Sequence, residues 1–162
     1  MKTGKNDYIC GYVCPPGMPC GESGRRENRN ILKLLRLMKP IVTSAAPAAI
    51  GPYSQAIEVN GFVYASGQLP IDPATGAFPE GGVQEQTRQS LLNVKAILEE
   101  AGLTLANVVK TTVYLADMGD FAAMNEIYSQ FFSQPFPARS AVAVKALPKG
   151  ALVEVEVIAA RG

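Results

Sequence analysis

Hydrophobic and polar positions follow two periods from Ile50 onward, and each change of period marks an element. Ala56-Ile57-Glu58-Val59 and Phe62-Val63-Tyr64-Ala65-Ser66 are short β-prone runs joined by Asn60-Gly61. Asn-Gly between such runs predicts a two-residue hairpin, because a type I′ turn needs positive φ at both positions. Gly51-Pro52-Tyr53-Ser54-Gln55 turns the chain into the first run, Ser66-Gly67-Gln68-Leu69-Pro70 closes the second, and residues 71–82 read as loop. The period then lengthens. Val83, Thr87, Leu91, Val94, Leu98 and Ala101 recur at three- and four-residue steps, which predicts a helix over 83–101 stopped by Gly102. Residues 108–115 predict a β-branched strand. Asp120 is positioned to N-cap a second helix over 121–133, with a stripe of Phe121, Met124, Ile127 or Tyr128, and Phe131.

Two prolines then set an extended approach to Phe136-Pro137-Ala138-Arg139-Ser140-Ala141-Val142-Ala143-Val144, since each disfavours helix in the residue before it. Leu152-Val153-Glu154-Val155-Glu156-Val157-Ile158 alternates as a last strand, with Glu154 opposite the valines, and Pro148-Lys149-Gly150 marks a turn between the two. Paired as a hairpin with an even-membered loop, they would bring Arg139 and Glu154 together on one face. The order β-β-α-β-α-β-β with one apolar face per helix gives an α+β class: a mixed β-sheet with both helices packed on one face. The other face is left for water or a partner, and the valine-rich alternation of the last strand favours a partner.

Composition narrows the chemistry. At 162 residues, 48% hydrophobic and 18% charged, the chain fits one globular domain with a sizeable core. No apolar run approaches the roughly 18 residues of a membrane-crossing helix, and with no targeting segment in view the expected compartment is the cytoplasm. The formal charge of +1 conceals an asymmetry: residues 1–39 carry eight Lys/Arg against three Asp/Glu, and residues 40–162 seven against eleven. A body of net −4 on that count is poor material for tracking phosphates, so nucleic acid is disfavoured as a partner. There is no histidine, which removes Ser-His-Asp and Cys-His catalysis and the commonest metal ligand. Cys10, Cys14 and Cys20 all lie in residues 1–38, at a spacing that matches no standard zinc pattern. That segment, rich in Gly, Pro, Asn and Arg, reads as a disordered or non-native extension preceding a domain over 39–162, with a short amphipathic stretch at 31–38. An arginine that forks onto a carboxylate, with a glutamate nearby to handle a proton, is a minimal acid–base site.

The body resembles the reactive-intermediate deaminase (Rid, YjgF-like) family, close to its RidA archetype. The resemblance rests on Ala48-Ala49-Ile50-Gly51-Pro52-Tyr53-Ser54-Gln55, Ala65-Ser66-Gly67-Gln68-Leu69-Pro70, Arg88-Gln89-Ser90-Leu91-Leu92-Asn93-Val94-Lys95-Ala96-Ile97, Val109-Lys110-Thr111-Thr112-Val113, Phe136-Pro137-Ala138-Arg139-Ser140 and Val153-Glu154-Val155-Glu156, in order and with fitting spacing. It implies a chorismate-mutase-like fold, a homotrimer with active sites between subunits, and no cofactor or metal. The implied reaction is hydrolysis of enamine/imine intermediates (2-aminoacrylate, 2-iminopropanoate and related 2-imino acids) to 2-oxo acids and ammonia, a 2-iminobutanoate/2-iminopropanoate deaminase activity. Carried over, Arg139 binds the substrate carboxylate and Glu154 activates the water, with Glu156 its nearest rival. Tyr53, Ser66 and Asn125 line the pocket. Ala141 stands where many members have cysteine and keeps the backbone carbonyl that position contributes, so hydrolysis survives while thiol-based roles are put in doubt. Two other classes remain: a non-catalytic 2-oxo acid sensor or holdase, and an RNA-acting relative of translation-inhibitor type.

Overall fold

The computed structural model describes residues 38–162. The expected extension, its amphipathic stretch and its three cysteines, Met38 apart, lie outside the described residues. Strands β1 (Lys39–Ile41), β2 (Ala56–Val59), β3 (Phe62–Gln68), β4 (Val108–Leu115), β5 (Ala138–Ala143) and β6 (Val153–Ala160) join in one sheet. Its order is β1-β2-β3-β6-β4-β5. Helices α1 (Val83–Glu100) and α2 (Phe121–Phe131) pack against each other. The β2–β3 hairpin is as expected, with Asn60 at φ 51° and Gly61 at φ 78° and Val59 opposite Phe62. The short β1 has no counterpart among the expected elements: its Lys39-Pro40-Ile41 carries a proline, which a sheet tolerates at an edge, and the edge is where it lies.

The last two strands are not a hairpin. β4, α2 and β5 form a crossover unit, so β5 runs parallel to β4 at the sheet edge, and β6 is inserted antiparallel between β3 and β4. Burial explains the exchange of places. Val153, Val155, Val157 and Ala159 of β6 are at most 2% exposed, whereas Val142 and Ala143 of β5 stay open. The more apolar strand takes the central position, where burying each valine contributes about 1.5–3 kcal/mol.

Register sorts every side chain in this region onto one of two faces. Thr111, Val113 and Leu115 of β4 align with Val157, Val155 and Val153 of β6 and meet Leu91, Val94, Ile97 and Leu98 of α1 and Met124 and Tyr128 of α2 in the core. Both helices therefore cover one face, as the single apolar stripe on each predicts. The open face carries Tyr64, Ile158 and Lys110 in one row, Glu156, Thr112 and Ser140 in the next, and Glu154, Tyr114 and Val142 in the third.

Helix ends follow local chemistry, with two departures at α2. Asp120 makes no side-chain cap; Asp117 does, accepting from Gly119 N at 2.7 Å at the start of a 3₁₀ turn that leads into α2. α2 ends two residues early because Phe132 turns extended to pack its ring 4.5 Å from Tyr128. α1 closes in a Schellman arrangement: Leu103 N donates to Leu98 O (2.8 Å) and Gly102 N to Glu99 O (2.9 Å), with Gly102 at φ 70°. Replacing Gly102 by alanine forces an L side chain into the left-handed region, and Gly102→Ala is expected to lower unfolding free energy by about 1 kcal/mol. Urea denaturation at matched protein concentration checks this: a lower midpoint with unchanged slope is the expected result.

Candidate active site

The candidate residues separate into two groups. On the helix-covered face, Arg139 of β5 stands opposite Thr111 of β4 and reaches α2. Its Nη1 donates to Asn125 Oδ1 at 2.8 Å, and its guanidinium carbon lies 4.5 Å from the Tyr128 ring centroid and 5.5 Å from that of Phe121. Asn125 is thus turned toward the arginine rather than simply solvated. Ala141 follows two residues along β5 on the same face, its methyl packed on the core. β5 is an edge strand, so among the described residues its outward backbone groups have no ladder partner.

The second group lines a cavity of about 890 Å³, bordered by the 43–50 loop, Tyr53, the Ser66–Leu69 stretch, Lys149 and Glu154. Tyr53 Oη accepts from Ile50 N (3.3 Å), leaving its own proton to donate, and Ser66 Oγ donates to Ser54 O (2.7 Å), leaving lone pairs to accept. The sheet is irregular here. Ala65 opposes Val157 and Gln68 opposes Val155, so Ser66 and Gly67 share the place opposite Glu156. Glu154 tucks its carboxylate against this bulge: a Cβ on Gly67 would collide with Glu154 Oε1. Only glycine leaves that space.

Burial there, and secondly the negative charge of Glu156, push the Glu154 carboxyl above its ordinary value. Folding thus makes Glu154 hold its proton more tightly than the unfolded chain does. Its ionisation subtracts stability as pH rises from the ordinary carboxylate range through the raised value. Tyr114, register partner of Glu154, is pushed up as well, by burial first and then by the charge of Glu156.

Within one chain the two groups do not meet. Arg139 aligns with Thr111 and Glu154 with Tyr114, three residues along and two strands across, and they point to opposite faces. Strand geometry puts their Cα atoms roughly 14 Å apart. None of Arg139, Asn125 and Ala141 borders the cavity. The expectation that Arg139 and Glu154 share a face is therefore overturned, and its cause is the insertion of β6 between β3 and β4.

Three buried amides that the sequence pattern did not single out hold the cavity walls. Gln55 donates its Nε2 among the carbonyls of Thr43, Ala46 and Pro47 (3.0, 3.2 and 2.8 Å) and accepts from Thr43 N (2.8 Å). Asn93 Nδ2 donates to Leu69 O (3.0 Å) and Ile71 O (2.9 Å), and Gln86 Oε1 accepts from Leu152 N (2.8 Å). For Gln86 and Asn93 the available signal was a polar residue falling inside the buried stripe of α1, where an amide persists only if it is hydrogen-bonded; Gln55, ahead of β2, carried no such signal.

Comparison with known proteins places this arrangement. The family model described as "Endoribonuclease L-PSP" matches residues 43–161. A RutC family protein of Pyrococcus abyssi is 56% identical over 119 residues, 74% of this chain and 94% of that protein. The 2-iminobutanoate/2-iminopropanoate deaminase of Capra hircus is 55% identical over 122 residues, 75% of this chain and 89% of the relative. Among solved structures, a Rid-family protein, YyfA of Yersinia pestis, superposes with a TM-score of 0.74 at 52% identity, covering 76% of this chain and 99% of that one.

The causes assigned to the raised Glu154 pKa are separable. In a carboxyl carbon NMR titration, Glu156→Gln removes the neighbouring charge and Gly67→Ala turns the carboxylate out toward water. Both are expected to lower the Glu154 pKa relative to wild type, with Gly67→Ala the larger because burial is the leading cause. A titration unchanged in both variants would contradict the assignment.

Proposed function

The chain belongs to the Rid (YjgF-like) family, whose family model carries the description endoribonuclease L-PSP, and from that premise we propose that it hydrolyses reactive enamine/imine acids, the enamine 2-aminoacrylate through its imine tautomer 2-iminopropanoate and related 2-imino acids, to 2-oxo acids and ammonia. The active form is a homotrimer of chorismate-mutase-like arrangement with its sites between subunits. The observation that carries this reading is the divided site. Each chain has an arginine half (Arg139, Asn125, Ala141) and a carboxylate half (Tyr53, Ser66, Glu154), too far apart for one small substrate. The halves complete each other when the arginine half of one copy faces the cavity of the next. Phe62, Tyr64 and Val142, each 41–46% exposed, supply apolar surface for such a contact.

The chemistry uses the residues in simple roles. Arg139 forks onto the substrate carboxylate and so places the imine carbon against the cavity. Glu154, with its raised pKa, takes a proton from water as oxygen bonds to that carbon and the C=N electron pair moves onto nitrogen. Returning that proton to the nitrogen gives the neutral carbinolamine, and a second transfer, of its hydroxyl proton to the nitrogen through the same carboxylate, lets the C–N bond break as the C=O bond forms. The sum is imine plus water giving 2-oxo acid plus ammonia, balanced with no other reactant. Tyr53 as donor and Ser66 as acceptor can hold the water or the departing nitrogen. Ala141 offers its backbone carbonyl. The family model's description refers to RNA cleavage, but a body of net −4 without histidine suits a small anionic imine better than a phosphate chain.

The test is complementation in a coupled assay, in which a pyridoxal-phosphate dehydratase makes 2-aminoacrylate from serine and pyruvate release is followed. Arg139→Ala and Glu154→Gln are each expected to lose about 100-fold in kcat/KM, as when a charged partner is truncated. Co-assembled in equal amounts, they regain roughly a quarter of wild-type activity, because random mixing in a cyclic trimer leaves that share of interfaces with both groups intact. A mixture no more active than its components would remove the inter-subunit site. Full activity in both single variants would remove the assignment of residues.

A further inference from the structure

Tyr128 takes no part in the chemistry above, yet its surroundings are more constrained than packing requires. It lies on α2, 4% exposed, with its ring closer to the Arg139 guanidinium than that of Phe121. Its hydroxyl shares a 2.9 Å hydrogen bond with Thr111, which is wholly buried and is the register partner of Arg139 on β4. Phe132 packs against the same ring at 4.5 Å. Thr111 at the hydroxyl end and Phe132 beside the ring thus prevent it from swinging away.

We propose that Tyr128 is a positioning residue for Arg139, an aromatic floor that holds the guanidinium in one orientation before substrate arrives. The inference rests on the reading of Arg139 as the carboxylate anchor and adds what makes that anchor rigid. A free arginine side chain loses considerable rotamer entropy on binding a carboxylate, and a guanidinium already held loses less. Here Asn125 takes one N–H at 2.8 Å and the ring lies under the cation. The remaining N–H groups stay available for a two-point contact with the carboxylate. The hydroxyl serves the ring rather than the substrate: bonded to Thr111 in the core, it satisfies both buried groups and sets the ring's height against β5.

Removing the floor should weaken substrate binding and leave the proton transfers at Glu154 alone. Tyr128→Leu is expected to raise KM for 2-iminopropanoate by about tenfold, with kcat near wild type, whereas Tyr128→Phe keeps the ring, loses only the bond to Thr111 and raises KM by about twofold. Pentafluorophenylalanine at position 128 preserves shape but reverses the charge distribution of the ring, so it should raise KM as leucine does. It also decides the matter alone should the leucine variant not fold. In an Arg139→Ala background, changing Tyr128 to leucine should add nothing. A raised KM in Arg139→Ala together with wild-type KM in the leucine and fluorinated variants would overturn the positioning role and leave the anchor standing. Wild-type KM in Arg139→Ala would overturn the anchor and this inference with it. A fall in kcat alone in the leucine and fluorinated variants would also overturn it.

Discussion

Strict alternation of side chains along β4 and β6 is the constraint on which this structure depends. A strand sends successive residues to opposite faces, and once the valines of β6 and Thr111, Val113 and Leu115 of β4 are committed to the helices, their neighbours have no choice. Glu154 and Glu156 must face away from the core. Arg139, tied in parallel register to Thr111, must face into the helix layer. The two groups most suited to acid–base chemistry on an anion are thus held apart by the same pattern that builds the core. In the proposed reaction they act together across a boundary between copies.

Much of the fold was legible because local signals agreed with the global arrangement. Asn60-Gly61, the stripe of α1 and the stop at Gly102 all rest on short-range physics, and the structure follows them closely. What escaped was long-range. Nothing in residues 136–158 says that β6 passes β5 and enters the sheet beside β3. The Pro148-Lys149-Gly150 turn serves a short hairpin and a longer connection equally well. The Asp120 cap failed for a local reason instead: Asp117, three residues earlier, offered the chain an earlier turn.

The candidate site was legible in a different sense. Arg139 and Glu154 were identifiable as chemistry-bearing residues, and the family resemblance chose between Glu154 and Glu156. Their supports were not. Gln55, Asn93, Gly67 and Tyr128 matter through what they touch, and those contacts join residues distant in sequence, such as Asn93 with Leu69 and Tyr128 with Thr111. A polar side chain in a buried stripe hints at such a partner without naming it.

The bulge at Ser66-Gly67 sets how this chain can change length over evolutionary time. Loops tolerate insertions, and the stretch from Ile71 to Gly82 can lengthen or shorten at small cost. Between Ala65 and Gln68 the chain has no such freedom. Deleting one residue there would restore an even ladder with Val155–Val157 and set a single residue opposite Glu156 where Ser66 and Gly67 now share the place, so the carboxylate of Glu154 would lose its recess. The irregularity is a fixed count: chain length is free to drift in the loop and constrained at the bulge, four residues before it.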